Sequence, residues 1–166
     1  MAASKARVLI VEDDQLITMG LAEALAMAGY EVTGSASSVA EALTLAQRLP
    51  PDLAIFDIRL PGGEDGIVGA GLLRRLYDPP ILFLTGEIDP EIRKRAAAFR
   101  PAALLIKPIH AQMLIATVER ILQERSPGED IVQEISSNPS QRLKPAAVTA
   151  VSNSSGEKGF GKNPAG

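Results

Sequence analysis

Short apolar runs and longer amphipathic stretches alternate along this chain. Val8-Leu9-Ile10-Val11 is a β-branched run of the kind buried on both faces of a parallel sheet. It gives way to helical spacing, with Leu16, Ile17, Leu21, Leu25 and Ala28 recurring, and Gly29 where a left-handed C-terminal cap is easiest for glycine. Residues 30–34 read as a weaker strand. Ser38-Val39-Ala40-Glu41 reads as a capping box, hydroxyl and carboxylate satisfying reciprocal backbone donors. The helix it opens should run to about Arg48 and stop before Pro50-Pro51. Leu53-Ala54-Ile55-Phe56 is the next buried strand and ends at Asp57. A glycine-rich loop, residues 61–66, precedes a helix through Leu76 whose stripe Leu72-Leu73-Leu76 is expected in the core. Pro79-Pro80 breaks that helix, and Ile81-Leu82-Phe83-Leu84 follows as a fourth strand. Asp89-Pro90-Glu91 starts a helix with an acidic cap, proline in the first turn and an acid at the positive helix end. Ala103-Leu104-Leu105-Ile106 is the fifth strand, and the last helix carries Leu114, Val118, Ile121 and Leu122 on one face.

Strands alternating with helices in this way predict an α/β fold. The expected form is a doubly wound, five-stranded parallel sheet with five helices on both faces, in the flavodoxin-like order 2-1-3-4-5. Past residue 125 the composition turns to Ser, Pro, Gly, Asn and Lys, with sparse apolar residues. The predicted organisation is therefore one domain over residues 1–125 and a low-complexity tail, 126–166, expected to be disordered. Ile131, Val132 and Ile135 are read as a short extension of the last helix or a docking segment.

Composition removes several function classes. With 46% hydrophobic and 22% charged residues the chain is too apolar to be wholly disordered. It has no cysteine, which excludes disulfides and thiolate metal sites and favours a cytoplasmic protein. A net charge of −3 without a long basic run gives no signature of nucleic-acid binding. Neither membrane insertion nor a signal peptide is expected, because no apolar stretch approaches about 20 residues and no cleavage region follows the first apolar run.

Ligands of such sheets bind outside the carboxyl ends of the strands. Those ends carry Glu12-Asp13-Asp14, Asp57, Thr85-Gly86 and Lys107-Pro108. The carboxylates suit a hard cation such as Mg²⁺, which binds one or two of them together with a phosphate. The lysine suits an anion, and the threonine can donate to a phosphoryl oxygen. Together they describe a site for phosphoryl transfer, in which a carboxylate can itself be the nucleophile. Asp57 is the best placed, on a central strand. Asp14 is read as the cap of the first helix, and His110, the only histidine, as the start of the last. Arg93, Lys94, Arg95 and Arg100 form a basic cluster, read as either a solvated face or a docking surface.

Val11-Glu12-Asp13-Asp14, Asp57 followed by Pro61, Asp65-Gly66, Leu84-Thr85-Gly86 and Lys107-Pro108 together resemble the signature set of response-regulator receiver domains, over about residues 6–125. The resemblance implies that Asp57 is the phosphoacceptor. It implies Glu12, Asp13 and Asp57 as Mg²⁺ ligands, Asp13 directly and Glu12 partly through water, with Arg59 contributing its backbone carbonyl. Thr85 and Lys107 would bind the phosphoryl group, and the Lys107-Pro108 bond would be cis. The donor would be a histidine of a sensor kinase or of a phosphotransfer protein. Output would come from protein contacts at the fourth helix, fifth strand and fifth helix.

The chain departs from the family pattern in three ways. The loop from Pro61 to Asp65 is one residue longer than usual, Leu104 stands where an inward-switching aromatic is common, and no output domain is expected after residue 125. Leu104 supports one alternative, a phosphorylation-independent interaction module. A second alternative, a small aspartyl-phosphate phosphatase, commonly needs an acid two residues after the nucleophile, where this chain has Arg59.

Overall fold

A computed structural model describes residues 5–86 and 89–125. The expectations for the tail, 126–166, including Ile131, Val132 and Ile135, lie outside the described residues. Five strands, β1 (Arg7–Val11), β2 (Glu31–Ala36), β3 (Leu53–Asp57), β4 (Ile81–Thr85) and β5 (Ala103–Ile106), form one sheet in the order β2-β1-β3-β4-β5. All pairs are parallel, so the expected order and topology are those observed. Between the strands run α1 (Gln15–Met27), α2 (Val39–Arg48), α3 (Gly66–Tyr77) and α4 (Pro90–Phe99), and α5 (Ala111–Arg125) closes the domain.

Period-two alternation divides the core between the two faces. Val8 and Ile10 pack with Leu21 and Leu25 of α1 and Leu114, Val118 and Ile121 of α5. Leu9 and Val11 pack on the other face with residues of α2, α3 and α4. The three inner strands are almost wholly buried, whereas edge strand β5 is only half covered.

Local chemistry sets the helix boundaries. Asp14 Oδ1 accepts from the amides of Leu16 and Ile17, the expected cap of α1, and Gly29 ends the turn after it at φ 88°. Asp89 caps α4 through the amide of Glu91. His110 immediately precedes α5, and its carbonyl accepts from the Leu114 amide. The capping box of α2 forms by half. Ser38 Oγ accepts from the Glu41 amide, but the Glu41 carboxylate reaches one residue further back, to the amide and hydroxyl of Ser37.

Leu16 begins the helical spacing of α1 but lies on its exposed side, with 81% of its surface accessible. One core expectation needs correction: of the stripe Leu72-Leu73-Leu76 on α3 only Leu73 is buried, while Leu72 and Leu76 are exposed. The face that α3 turns to the sheet is made by small residues, Gly66, Gly69 and Ala70, with Ile67 and Leu73. A β-carbon at Gly69 would come within 2.5 Å of Val39 Cγ2 and 3.3 Å of Phe56, so the close approach requires glycine and rotates the larger leucines outward. Gly20, inside α1, has no atom within 4 Å of a β-carbon position. Gly20→Ala should therefore stabilise the protein by about 0.5–1 kcal/mol, read as a higher urea midpoint. A lower midpoint would contradict the open space at this helix surface.

Candidate functional site

The site forms because parallel strands all end on one rim. Glu12 directly follows β1, Asp57 and Thr85 end β3 and β4, and Lys107 directly follows β5. Glu12, Asp57 and Thr85 are buried, at 3%, 6% and 2% accessibility, and they are the buried polar residues among those described. Burying a charge is costly unless it is paired. The pairing here comes from Lys107, whose Nζ lies 2.6 Å from Glu12 Oε2 and 2.8 Å from Asp57 Oδ2.

Backbone amides hold the remaining carboxylate oxygens. The Asp14 amide donates to Glu12 Oε1 at 3.1 Å, and the Arg59 amide donates to Asp57 Oδ1 at 3.0 Å. Since the Asp14 side chain is fixed to α1, the amide that orients Glu12 is fixed as well. Thr18 adds a hydroxyl bond to the Glu12 carbonyl. Thr85 is held from the next strand, its carbonyl accepting the Lys107 amide at 2.8 Å, and the Lys107-Pro108 bond is cis as expected.

Burial is the largest influence on the Glu12 carboxyl and pushes it above the ordinary carboxylate range. The nearby charge of Asp57 adds to this, while the bonds from Lys107 and the Asp14 amide oppose it. For Lys107, burial pulls the other way, but its bonds to Asp57 and Glu12 outweigh burial and hold the ammonium above its usual range.

Asp13 is exposed and joins the group from the rim. Glu12, Asp13 and Asp57 each offer a carboxylate oxygen, all within 4.8 Å of one another. Three carboxylates against one ammonium leave a net charge of −2, suited to a divalent ion. Glu12 Oε2 is buried with the Lys107 ammonium as its polar neighbour. An all-oxygen set carrying more negative charge than that one ammonium balances fits Mg²⁺.

The structure thus brings Glu12, Asp13, Asp57 and Lys107 together, with Thr85 buried on the adjoining strand end and Arg59 joined through its amide. Leu104 packs, half-buried, with the α3 and α4 side of the core, where Phe83 and Phe99 meet edge to face at 5.1 Å. An apolar groove of about 610 Å³ adjoins the site between α1 and α5, lined in part by Leu16, Ile17, Gly20 and Lys107.

Four contacts are not legible in the sequence reading. Glu64 bonds the first amide of α2, at Val39. Asp65 caps α3 and also pairs with Arg95 of α4, so one member of the basic cluster is tied down rather than free in solvent. Gly66 lies directly against the Asp57 backbone. An Asp-Gly pair at a helix start signals the cap and the close approach, but nothing local in sequence names Arg95.

Comparison with known proteins agrees with this geometry. Residues 8–119 match the response regulator receiver domain family. The transcriptional regulatory protein PdtaR of Mycobacterium tuberculosis is 40% identical over 118 residues, 71% of this chain and 57% of that protein. The response regulator protein FleR of Pseudomonas aeruginosa is 34% identical, covering 95% of this chain and 34% of its own length. The chain therefore spans only about a third to just over half of these relatives. Among solved structures, the receiver domain of a modulated diguanylate cyclase from Desulfovibrio desulfuricans superposes with a TM-score of 0.69 at 35% identity, covering 75% of this chain and 98% of that one. The chemotaxis protein CheY4 of Vibrio cholerae gives 0.64 at 33% identity, covering 70% and 98%.

Proposed function

This chain belongs to the response regulator receiver domain family, and on that premise we propose that it is the phosphoacceptor of a two-component or phosphorelay system, modified on Asp57. The donor is a histidine of a sensor kinase or of a phosphotransfer protein. One observation carries the reading: a single ammonium, Lys107 Nζ, bridges two buried carboxylates at the strand ends. Two buried acids held beside an ammonium and next to a third acid form an acidic cradle for a cation rather than a solvated strand end.

In the transfer an Asp57 oxygen bonds to phosphorus as the bond from phosphorus to the donor nitrogen breaks. Glu12, Asp13 and Asp57, with the Arg59 carbonyl, would hold Mg²⁺, which when bound supplies positive charge against the phosphoryl oxygens. Lys107 exchanges its pairing with the Asp57 carboxylate for pairing with the transferred phosphoryl group. Thr85 offers a hydroxyl from the neighbouring strand end, and the Arg59 amide keeps Asp57 oriented. The new charge then shifts a two-state equilibrium of the nearby loops and helices. Output is by protein contact through α4, β5 and α5, and the domain boundary falls at the end of α5. Among the described residues no helix is long and apolar enough to cross a membrane.

A small phosphodonor with Mg²⁺ should label the wild-type chain, and Asp57→Asn should remain unlabelled when both are analysed by intact mass. Label on another residue with Asp57 intact would refute the assignment. Leu104 favours the second reading, an interaction module indifferent to phosphate. Partner binding unchanged by phosphodonor and Mg²⁺ would select it.

A further inference from the structure

We infer that Arg95 on α4 is a positioning residue for the phosphoacceptor loop, acting through Asp65. The loop that follows Asp57 turns through two glycines at positive φ, Gly62 at 72° and Gly63 at 77°. Neither has an atom within 4 Å of its β-carbon position, so nothing packs against the turn there. The loop is held instead at its second half. Glu64 Oε2 accepts the Val39 amide of α2 at 2.8 Å. Asp65 Oδ1 accepts from the amides of Ile67 and Val68 at the start of α3, and Asp65 Oδ2 takes the Arg95 guanidinium.

Asp65 is also bridged, antiparallel, to Arg59. The Arg59 amide in turn holds Asp57 Oδ1. The two bonds of that bridge run from the Leu60 amide to the Glu64 carbonyl and from the Gly66 amide to the Ile58 carbonyl, so the residues flanking Asp65 are tied to those flanking Arg59. A path that is part side chain and part backbone therefore links α4 to the acceptor: Arg95, Asp65, the bridge, Arg59, Asp57. Between loop and α4 lies a cleft of about 420 Å³, lined by Arg59, Glu64, Ile92 and Arg95 among others. Ile58, Leu60 and Ile92 belong to the core, and the Arg95–Asp65 pair is a polar tie across this cleft.

The consequence is a second route between α4 and the acceptor, on the β3 side and separate from Thr85. A chain with Leu104 in β5 can use this route without an aromatic rotamer change. Because coupling is reciprocal, whatever displaces α4 alters ion binding at the acids by the same factor as the ion alters α4.

The test uses the full 166-residue chain and Mg²⁺ alone, with affinity measured by calorimetry. The inference rests on the phosphoacceptor reading, and a separate labelling arm with Asp57→Asn judges that reading by itself. Arg95→Gln and Asp65→Asn each remove the pair, and asparagine still caps α3. A pure field effect gives opposite signs: losing Asp65's charge weakens Mg²⁺ binding, and losing Arg95's strengthens it. Positioning gives the same sign for both. Each variant should weaken Mg²⁺ binding by about two- to fivefold, the range of an exposed ion pair. The double variant should be no worse than either single one, and Arg95→Lys should recover part of the loss. Tighter binding in Arg95→Gln, additive effects in the double variant, or lower thermal stability with unchanged affinity would each overturn the inference.

Discussion

Lys107→Met should cost about 3 kcal/mol of stability at pH 7 and less than about 1 kcal/mol at pH 4, measured by urea denaturation at both. Methionine keeps the unbranched stem of the side chain as far as the ε carbon and removes the ammonium that lies 2.6 Å from Glu12 and 2.8 Å from Asp57. Two buried carboxylates then face one another without a counter-charge. Removing one partner of a buried pair typically costs about 3–5 kcal/mol because the other charge is stranded. The lower end applies here because Lys107 keeps 17% of its side chain accessible.

The pH dependence follows from the direction of the Glu12 shift. Burial first, and the Asp57 charge after it, hold this carboxyl above its ordinary value of 4.5, against the bond from Lys107. A group whose folded value is raised contributes stability that is fully present below the unfolded value and lost as pH rises through the folded one. Without Lys107 the opposing bond is gone, and the loss deepens above pH 4.5. Below that pH Glu12 carries its proton in both states, and most of the deficit closes. Saturating Mg²⁺ should restore more stability to Lys107→Met than to wild type, because the ion no longer competes with an ammonium. An equal deficit at both pH values, or equal stabilisation of the two proteins by Mg²⁺, would show that Lys107 is not the counter-charge of this pair.

How much of this was legible depends on what each feature rests upon. The buried strands were, because runs such as Leu53-Ala54-Ile55-Phe56 are apolar on both faces and short. The rim was legible as well, since parallel topology sends every strand end to one side and four of those ends carry polar chemistry. What failed was the choice of face on α3. Leu72 and Leu76 look like core by hydrophobicity, yet Gly69 and Ala70 permit the closer approach, and packing distance outweighs apolar area there. The partner of Arg95 was hidden for another reason. Asp65 lies 30 residues away, and the pair exists only because α4 packs beside the loop that follows β3. The Glu41 carboxylate missed its expected partner by one residue because Ser37 offers both an amide and a hydroxyl.

Gly66→Ala should lower stability by about 3 kcal/mol, an upper-range overpacking cost, and slow labelling of Asp57 by at least tenfold. A β-carbon at residue 66 would lie 1.9 Å from the Asp57 carbonyl oxygen, 2.9 Å from its carbonyl carbon and 3.0 Å from Ile58 Cα. All three are backbone atoms, so no side-chain rotation relieves the clash. Either α3 withdraws, breaking the 2.8 Å bond from the Gly66 amide to the Ile58 carbonyl, or the end of β3 moves. The first route releases and the second shifts the strand end that places Asp57 against Lys107, which enters from β5 and does not move with it. A misplacement of about 1 Å at a reacting group can cost on the order of a hundredfold in rate. Stability and labelling should therefore fall together here. Gly62→Ala, at positive φ but in open space, should lose about 1 kcal/mol of stability and keep its labelling rate. Thermal melts of both variants, with labelling time courses well below their midpoints, separate the two effects. Wild-type labelling by Gly66→Ala under those conditions would mean that the acceptor strand absorbs the added carbon without moving Asp57.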